Sequence, residues 1–326
     1  MDFNSIYNEL LFKIEARINE LIVTKEPTII YEPFRYAMTQ GGKRIRPILT
    51  ILTSAMFGTT IEKVLDLSLA IEILHNFTLV HDDIMDESPL RRNKLTVFKK
   101  YNIPLAIITG DLMVGFAYSL LPKSKENKNS DLIYEIFNKG LIDVCEGQAL
   151  DMEFNSRNDI TVNDYFDMIS KKTSSLLETA CLIGAYFSDA NQNEINIIKD
   201  FAYHLGIAFQ LQDDLLDLTA VESQLGKKIG QDIVEGKKTY FIIRTKELAN
   251  EEKDILLIEK FYKNNGLKNE VNEMIELIKK LGIIEEANRI IDDNFNKCKI
   301  LLRQLPKNQY NDMLDMIIDK LNKRRY

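Results

Sequence analysis

The chain has 326 residues, and its 42 lysines and arginines against 49 aspartates and glutamates leave a formal charge of −7. An acidic balance without a basic excess excludes a protein that binds nucleic acid through its phosphates. Hydrophobic residues make up 45% of the chain and charged residues 28%, which excludes a disordered chain. A chain of this length buries a sizeable core without disulfide or metal cross-links.

The predicted elements are helices throughout, because apolar residues recur at spacings of three and four and no long alternating stretch occurs. The first apolar stripe contains Ile6, Leu10, Phe12, Ile14, Ile18, Leu21 and Ile22. The same spacing predicts helices over residues 63–85, 131–155, 161–185, 193–218 and 270–299. The pattern indicates an all-α fold of ten or more long helices, and no shift in composition divides residues 1–326 into more than one domain.

Neither a secretory signal nor a membrane span is expected. The N-terminus lacks a basic region followed by an apolar run. The most span-like stretch, residues 103–121, carries Asp111 near its centre, where a charge costs about 2.5–3.5 kcal/mol on insertion, so a buried helix is the better interpretation. The scattered cysteines Cys145, Cys181 and Cys298 do not suggest a disulfide framework, so we expect a reducing compartment and a cytoplasmic protein.

Two segments share the pattern DDxxD, and both end long apolar stretches. The first is HDDIMD at residues 81–86 and the second is QDDLLD at residues 212–217. On a helix, Asp82 and Asp86 lie one turn apart on the same face, as do Asp213 and Asp217. Like charges at that spacing destabilise a helix slightly unless a cation lies between them. Either motif alone could be an acidic helix end, but two matching motifs favour a shared chemical role.

Paired carboxylates with few other donors suit Mg²⁺, which prefers oxygen ligands and is completed by water and substrate phosphates. A phosphate ligand in turn needs cations. GGKRIRP at residues 41–47 places a glycine turn and three cations before a helix. Arg91 and Arg92 follow the first motif, and lysine pairs at residues 227–228 and 237–238 follow the second. Each cluster taken singly is typical of surface charge, but their position beside the motifs favours a diphosphate site.

Polar side chains also interrupt apolar helices, at His75, Gln148, Asp151, Lys172, Thr173 and Gln210. A single buried polar residue usually satisfies a hydrogen bond in the core. Several that converge on one cleft indicate a ligand site.

These motifs resemble those of the trans-isoprenyl diphosphate (polyprenyl) synthases over residues 40–238. The matching segments are GGKRIRP, HDDIMD with two arginines after it, GD at residues 110–111, EGQALDM at 146–152, KKT at 171–173, FQLQDDLLD at 209–217, LGK, GQD and EGKKT. The family is all-helical, built as a bundle around a central cleft, dimeric and Mg²⁺-dependent. It couples isopentenyl diphosphate head to tail to an allylic diphosphate such as dimethylallyl, geranyl or farnesyl diphosphate. The resemblance implies the same for this chain, including a homodimer.

The resemblance also implies roles for the matching residues. Asp82, Asp86 and Asp213 resemble magnesium ligands, with Asp217 in support. Lys43, Arg46, His75 and Arg92 resemble the isopentenyl diphosphate site. Arg91, Lys172, Lys227 and Lys237 resemble contacts to the allylic diphosphate. Thr173 and Gln210 match polar groups near the developing carbocation, so the implied catalytic set is Asp82, Asp86, Asp213, Lys172, Thr173 and Gln210.

One position departs from the family pattern. The residue after the arginine pair is usually glycine in the family and is Asn93 here. Asparagine tolerates a left-handed backbone better than most residues, so we expect the turn to form. No side chain beside both motifs is an obvious strong base, and the departing diphosphate is the expected proton acceptor, as the resemblance also implies.

Product length is expected to depend on the helix that carries the first motif. At 1.5 Å per residue, Thr78 and Leu74 lie roughly 6 and 12 Å below Asp82 on one face, and Phe77 lies roughly 7.5 Å below but to the side. Helical geometry alone leaves Phe77 as a side wall or a plain core residue. An aromatic residue fifth before the motif resembles the archaeal-type geranylgeranyl synthases, which implies a twenty-carbon product with farnesyl diphosphate as an intermediate.

Four alternatives remain. A farnesyl diphosphate synthase would stop at fifteen carbons, although the eukaryotic enzymes of that kind typically carry a second aromatic residue where Thr78 stands. A terpene cyclase would need neither GGKRIRP nor a second full DDxxD motif. A non-catalytic partner subunit of a prenyl synthase tends to lose an aspartate motif, and this chain keeps both. A helical acidic scaffold would carry its aspartates incidentally.

Overall fold

The computed structural model describes residues 3–23, 25–219 and 229–323. The chain forms two compact units, each assembled from separate stretches of sequence. The first contains Met1–Leu141, Leu176–Lys199 and Arg303–Met316, and the second contains Ile142–Ser175, Asp200–Leu302 and Ile317–Tyr326. Most of the boundaries between these stretches fall inside helices rather than in loops.

The first half of the chain supplies most of the first unit. Its elements are α1 (Phe3–Leu21), α2 (Thr28–Met38), α3 (Ile45–Met56), α4 (Ile61–Met85), strands β1 (Leu90–Arg91) and β2 (Lys94–Leu95), α5 (Val97–Lys100) and α6 (Ile103–Ser119), followed by α7 (Ser130–Phe154), which continues into the second unit. Helix α3 is buried on every side from Pro47 to Met56 and forms the centre of this unit.

The second half supplies most of the second unit. Its elements are α8 (Val162–Ile169), a π-helical turn (Ser170–Ser174), α9 (Ser175–Phe187), α10 (Gln192–Thr219), α11 (Gln231–Glu235), α12 (Tyr240–Leu248), α13 (Glu252–Asn264), α14 (Val271–Lys280), α15 (Ile283–Leu302) and α16 (Gln309–Asn322). Helix α9 from Leu176 onward and parts of α10 and α16 belong to the first unit. The core of the second unit contains the fully buried rings of Phe201, Phe241, Phe261 and Phe295.

The helices predicted over 63–85, 131–155 and 193–218 are confirmed to within two residues, but other predictions are wrong in detail. The stretch 270–299 forms two helices, α14 and α15, because Gly282 with a φ of 71° ends the first. Phe12 does not belong to the buried stripe of α1, since it is 75% exposed while Leu10, Ile14 and Ile18 are buried. Buried positions four residues apart leave Phe12 on the opposite side of the helix.

One helix among the described residues, α4, is long and apolar enough to cross a membrane by length and composition. The stretch expected to be the most span-like, residues 103–121, forms the shorter helix α6 and falls below that length, so the expectation named the wrong segment. The apolar window of α4 is 67% buried within the protein, which is typical of a core helix.

Candidate active site

The first aspartate motif ends α4, and its three aspartates differ in exposure. Asp82 is half-buried, Asp83 is buried and Asp86 is exposed. The backbone N–H of Asp86 donates to the Asp82 carbonyl at 2.8 Å and closes the last turn. Nε of Arg91 donates to Oδ1 of Asp83 at 2.8 Å, which neutralises the buried carboxylate. Asp82 and Asp86 therefore lie one turn apart at the end of the helix, and Asp83 faces inward.

A hairpin turn places the arginine pair. Strands β1 and β2 pair in register and leave Arg92 and Asn93 in the turn, with φ of 52° and 60°. Two successive left-handed residues are what a type I′ turn requires. The turn expected at Asn93 therefore forms without glycine.

Gly42 lets the hairpin approach the GGKRIRP segment. Nη1 of Arg92 donates to the Gly41 carbonyl. A Cβ atom on Gly42 would lie between 2.7 and 2.9 Å from guanidinium atoms of Arg92, and the φ of Gly42 is 139°. Only glycine allows both the close approach and this backbone conformation. The structure thus brings together two segments that were predicted separately to bind diphosphate.

The three cations of GGKRIRP face different surroundings. Lys43 is exposed and Arg46 is half-buried, whereas Arg44 is buried. The guanidinium of Arg44 donates from Nε to Glu15 and from Nη1 to Glu72, both at 2.7 Å, and from Nη2 to a backbone carbonyl. Arg44 is therefore part of the core, and only Lys43 and Arg46 remain as candidates for a ligand.

His75 lies among these arginines and is held neutral. Its pKa lies well below the ordinary value of 6.5, chiefly because burial disfavours the charged ring. Positive charges lower the pKa further, and they come, in decreasing order, from Arg46, Arg92, Arg91 and Arg44. The first unit thus places Arg46 and Arg92, two of the residues predicted for isopentenyl diphosphate, close enough to a neutral His75 to affect its charge.

The second motif ends α10 and repeats the pattern of the first. Asp213 is exposed, Asp214 is buried and Asp217 is half-buried. Oδ2 of Asp214 accepts from the Tyr165 hydroxyl, and Oδ1 accepts from Nε2 of Gln210, both at 2.7 Å. The middle aspartate is again the one that faces inward and is satisfied by neighbouring donors.

Two carboxyl groups of this motif have raised pKa values. Burial, and after it the nearby charge of Asp232, raises the pKa of Asp214 to about 7. The pKa of Asp217 is also raised to about 7, first by burial and then by Asp232. The backbone N–H of Asp232 donates to Oδ2 of Asp217 at 3.1 Å. The carboxylates therefore crowd together, and a cation would relieve their repulsion.

A π-helical turn presents the KKT segment. It interrupts the helical stretch predicted over residues 161–185, and a Thr161–Asp164 capping box fixes where that stretch starts. A Cβ atom on Gly147 would lie 2.3 Å from the Lys172 nitrogen, and one on Gly206 would lie 2.2 Å from Oγ of Ser174. Two glycines, on α7 and α10, thus let the turn pack closely against both helices.

The side chains of the KKT segment are held by neighbours in the second unit. Nζ of Lys172 donates to Oδ2 of Asp151 at 2.6 Å. Oγ1 of Thr173 donates to Oε1 of Gln210 at 2.7 Å. These side chains line a cavity of about 120 Å³. Its lining consists of Asp151, Tyr165, Met168, Ile169, Lys172, Thr173, Gln210, Asp214, Asp232, Lys237, Lys238 and Thr239.

The lysines of EGKKT differ in their partners. Nζ of Lys237 lies 3.4 Å from Asp232 and 3.0 Å from Glu235. Lys238 is buried, and its Nζ donates to three backbone carbonyls at the end of α7, between 2.5 and 3.0 Å away. Lys238 therefore caps that helix, while Lys237 faces the carboxylates. Lys227, which was also predicted to bind the allylic diphosphate, lies outside the described residues.

The residues predicted to limit product length lie along α4. Leu74 is fully buried. Thr78 is half-buried and its hydroxyl donates to the His75 carbonyl at 2.8 Å. The ring of Phe77 meets that of His81 edge to face, with centroids 4.8 Å apart. Phe77 is thus supported from the side by a second ring of the same helix.

Metal-ligating side chains do not form a closed cage within the described ranges. Among residues 3–23, 25–219 and 229–323, no group of three or more histidine, cysteine, aspartate or glutamate side chains is arranged to hold a metal ion. The carboxylates at each helix end are oxygen donors in pairs, which is the set that Mg²⁺ takes when substrate phosphates and water complete its shell.

Three residues of this site were not singled out as functional from sequence: Tyr165, Asp214 and Asp232. Asp214 and Asp232 lie inside recognised motifs, but the sequence does not show which way their side chains point. Tyr165 lies one turn after a capping box on a helix with a strong apolar face, which is typical of a core residue. Its hydroxyl, 2.7 Å from Asp214, and its place in the cavity lining connect it with the site.

Comparisons with known proteins agree with this geometry. A family model described as polyprenyl synthetase matches residues 27–278. A geranylgeranyl diphosphate synthase of Sulfolobus acidocaldarius is 40% identical over 284 residues, 86% of each chain. A short chain isoprenyl diphosphate synthase of Methanocaldococcus jannaschii is 42% identical over 250 residues, 77% of this chain and 76% of its own. The crystal structure of geranylgeranyl pyrophosphate synthetase from Pyrococcus horikoshii Ot3 matches with a TM-score of 0.90 at 34% identity, covering 99% of this chain and 98% of that one.

The chain therefore belongs to the polyprenyl synthetase family, as its motifs predicted. It has the all-α isoprenoid synthase fold and is an enzyme of the trans-prenyltransferase type. The expectations of a terpene cyclase or an incidental acidic scaffold do not fit this membership.

Proposed function

We propose that this enzyme condenses isopentenyl diphosphate head to tail with allylic diphosphates and that its main product is geranylgeranyl diphosphate. Relatives that match most of the chain carry that name, which supports the twenty-carbon product. A further relative is named only as a short chain synthase, so chain length also needs support from the residues themselves.

The observation that carries the proposal is one arrangement repeated at the ends of α4 and α10. In each motif the middle aspartate is buried and satisfied by donors, from Arg91 for Asp83 and from Tyr165 and Gln210 for Asp214. Burying a carboxylate is costly unless it is paired, so an incidental acidic helix end would not do so twice. We assign the first and last aspartates of each motif to a cation and its diphosphate.

We infer that the cation at each motif is Mg²⁺, with Asp82 and Asp86 as ligands in the first unit and Asp213, with Asp217 in support, as ligand in the second. The donors are hard carboxylate oxygens, and burial together with the charge of Asp232 raises the pKa of Asp217, which supports a nearby positive charge. When bound, Mg²⁺ would offset the negative charge that develops on the leaving diphosphate.

We assign the isopentenyl diphosphate site to Lys43, Arg46, His75 and Arg92. The influence of Arg46 and Arg92 on the pKa of His75 supports their proximity. A neutral His75 donates a hydrogen bond to a phosphate oxygen without adding a further buried charge among the arginines.

We assign the allylic diphosphate to Arg91, Lys172, Lys237 and Lys227. Arg91 and Lys172 each pair with one carboxylate, and Lys237 lies near two. Such pairing holds a cation in place before substrate arrives, and a diphosphate with more oxygen acceptors then competes for it.

Different groups of the site serve different steps of the reaction. The bond between the allylic carbon and the diphosphate oxygen breaks, and Lys172 and Arg91 stabilise the charge that moves onto the leaving group. The double bond of isopentenyl diphosphate then forms a carbon–carbon bond to the allylic carbon, and one proton leaves. The released diphosphate accepts that proton, since no strong base is assigned beside it. Thr173 and Gln210 are assigned as polar groups near the developing carbocation.

Product length is assigned to Phe77, with Thr78 and Leu74 along the same helix. The side of Phe77 rests on His81, whose ring fits against Gly110: a Cβ atom there would lie 2.2 Å from Nε2 of His81. A ring supported in this way resists displacement by a growing prenyl tail.

We further infer a homodimer. Helix α6 exposes Ile103, Ile107 and Ile108 by 44–49% each, on adjoining turns of one apolar helix. Such a stripe suits burial against a second copy. Light scattering at micromolar concentration should give twice the chain mass of 37.7 kDa, and a monomer would contradict this assignment.

We also infer one synthase domain over residues 1–326 and a cytoplasmic location. The unit boundaries that fall inside helices support a single folding domain. The three cysteines, all within the described residues, form no disulfide, which suits a reducing compartment.

One incubation tests the proposed function. Purified protein receives radiolabelled isopentenyl diphosphate, Mg²⁺ and each allylic primer in turn, and products are separated by chromatography. A twenty-carbon product is expected from dimethylallyl, geranyl and farnesyl primers, and chelation of the metal should abolish it. A fifteen-carbon end product would assign a farnesyl diphosphate synthase, and no product with any primer would indicate a partner subunit.

A further inference from the structure

The hydrogen bonds around the second aspartate motif form a relay of four residues. The Tyr165 hydroxyl donates to Asp214, whose other oxygen accepts from Nε2 of Gln210. Oε1 of Gln210 accepts from Oγ1 of Thr173. Each of these three bonds is 2.7 Å long. The relay joins α8, α10 and the π-helical turn within the second unit, and all four residues line its cavity.

The direction of the relay follows from the chemistry of its members. Nε2 of Gln210 donates to Oδ1 of Asp214, so the NH₂ group of Gln210 faces Asp214. The carbonyl oxygen of Gln210 is thereby turned toward Thr173. That oxygen also only accepts, so the Thr173 hydroxyl must donate its single proton to Gln210. The Thr173 oxygen keeps two lone pairs and has no proton left to offer the cavity.

We propose that Tyr165 and Asp214 are positioning residues that act through Gln210 to hold the Thr173 oxygen as an acceptor toward the cavity. This rests on the proposed function, because the positive charge that such an oxygen stabilises is the carbocation of prenyl transfer. A dipole that is already oriented before the bond breaks needs no reorganisation during the reaction. If the Gln210 carboxamide turned over, Thr173 would become free to point its proton at the cation.

Tyr165 is the residue that holds the far end of the relay. It is 1% exposed, and its ring packs beside Phe166 and Tyr240, with centroids 5.5 and 6.1 Å away. Its hydroxyl is the donor that keeps Oδ2 of Asp214 satisfied, which leaves Oδ1 for Gln210. Without that hydroxyl, the carboxylate can rotate and share Gln210 between both oxygens.

A double-mutant cycle on kcat tests this mechanism. Tyr165→Phe should lower kcat about tenfold and leave both KM values within about twofold, since it weakens an interaction with the transition state. Thr173→Val removes the oxygen that the relay positions and should lower kcat further. In the Thr173→Val background, Tyr165→Phe should then have almost no additional effect, because its target is gone. In the Thr173→Ser background, which keeps the hydroxyl, the tenfold loss should return.

Tyr240→Phe is the matched control. Tyr240 is equally buried and its hydroxyl donates to Glu286 at 2.5 Å, outside the relay. It should leave kcat within about twofold, and its effect should be the same in the wild-type and Thr173→Val backgrounds. An equal tenfold loss from Tyr240→Phe, or a full tenfold loss from Tyr165→Phe in the absence of the Thr173 hydroxyl, would overturn the proposal.

A second variant covers the case in which Tyr165→Phe does not fold. Asp214→Asn keeps one acceptor oxygen where two are needed, and its effect on kcat should likewise shrink in the Thr173→Val background. Independent effects of Asp214→Asn and Thr173→Val would then overturn the relay. A wild-type protein that transfers no prenyl group would refute the proposed function, whereas an active wild type with additive cycles would refute only the relay.

Discussion

Nε of Arg91 lies 2.8 Å from Oδ1 of Asp83, so an arginine predicted to meet substrate is already bound to the middle of the first aspartate motif. This ion pair separates the three aspartates of the motif by the direction in which their side chains point. The carboxylate that binds Arg91 faces inward, while Asp82 and Asp86 remain at the helix end. The same division at Asp214 means that the outer aspartates of both motifs should be the most sensitive to loss of charge.

Loss of charge at the first aspartate of either motif should abolish most of the activity. Asp82→Asn or Asp213→Asn should lower kcat by at least about a hundredfold, because each removes a ligand that serves the leaving diphosphate. Far-UV circular dichroism should keep the wild-type helical signal. Asp293→Asn is the control, since it lies in an adjacent aspartate pair without the third aspartate and is exposed. Near wild-type turnover in both test variants would contradict the metal assignment.

The two diphosphates should be separable by their Michaelis constants. Arg46→Ala or Lys43→Ala should mainly raise the KM for isopentenyl diphosphate, because both belong to the GGKRIRP segment and Arg46 lies near His75. Lys172→Ala should act on the allylic substrate or on kcat, since Lys172 lies beside the cavity of the second unit. Steady-state kinetics with each substrate varied in turn measures the split. Equal increases in both KM values for all three variants would argue against two separate sites.

The lowered pKa of His75 should appear in the pH dependence of stability. The folded protein resists protonation of this ring, whereas the unfolded chain protonates it near pH 6.5, so stability is complete above pH 6.5 and is lost as the pH falls below it. Protonation of this one ring lowers the free energy of unfolding by up to about 1.4 kcal/mol per pH unit. His75→Gln should therefore flatten the decline in the free energy of unfolding between pH 6.5 and 5.5, measured with urea. Identical slopes for the two proteins would show that His75 protonates freely when folded.

Gly147 should be intolerant of any side chain. Gly147→Ala places a Cβ atom 2.3 Å from the Lys172 nitrogen, and overpacking of this kind costs about 1–3 kcal/mol. It should also lower kcat, because the turn that carries Lys172 and Thr173 must move. Gly115→Ala is the control on α6, where nothing of the same chain lies within 4 Å, and it should not carry the overpacking cost within the chain. Urea unfolding and turnover measure both effects, and equal stability for the two variants would contradict the close packing of the π-helical turn.

Product length should follow the size of residue 77. Phe77→Ala should lengthen the product by at least one five-carbon unit, because it removes the ring that rests on His81. Thr78→Phe should shorten the product. Chromatography of the released alcohols reads both outcomes. An unchanged distribution in Phe77→Ala would place the end of the channel elsewhere, and Leu74, fully buried one turn below Thr78, would be tested next.

The helices were predictable because their apolar spacing is long and regular, and the exceptions have local causes. Gly282 adopts a left-handed backbone and divides the stretch 270–299 into two helices. A single glycine in an otherwise periodic stretch does not predict such a break. The π-helical turn at Ser170–Ser174 depends on Gly147 and Gly206, which lie more than twenty residues away. Periodicity reports burial along one helix and cannot report a close approach by another.

The residues of the site were predictable from the sequence, but the directions in which their side chains point were not. DDxxD names Asp82, Asp83 and Asp86 alike, yet only the folded chain turns Asp83 toward Arg91. GGKRIRP likewise contains three cations, but Arg44 is unavailable to a ligand because it is buried and bound to Glu15 and Glu72. Which carboxylate meets which cation depends on tertiary packing, and no spacing rule within a motif specifies it.

The π-helical turn makes the KKT segment sensitive to length as well as to composition. A π turn holds an extra residue relative to an α turn, so deleting one residue between Ser170 and Ser174 would let the stretch relax into a regular α-helix. Because the deletion would remove the extra residue itself, the buried positions of α9 such as Leu176 and Ala180 would keep their register in the core. Only the side chains of the turn would be repositioned, and the hydroxyl of Thr173 would lose its bond to Gln210. A single-residue deletion here should therefore leave the protein folded and remove its activity.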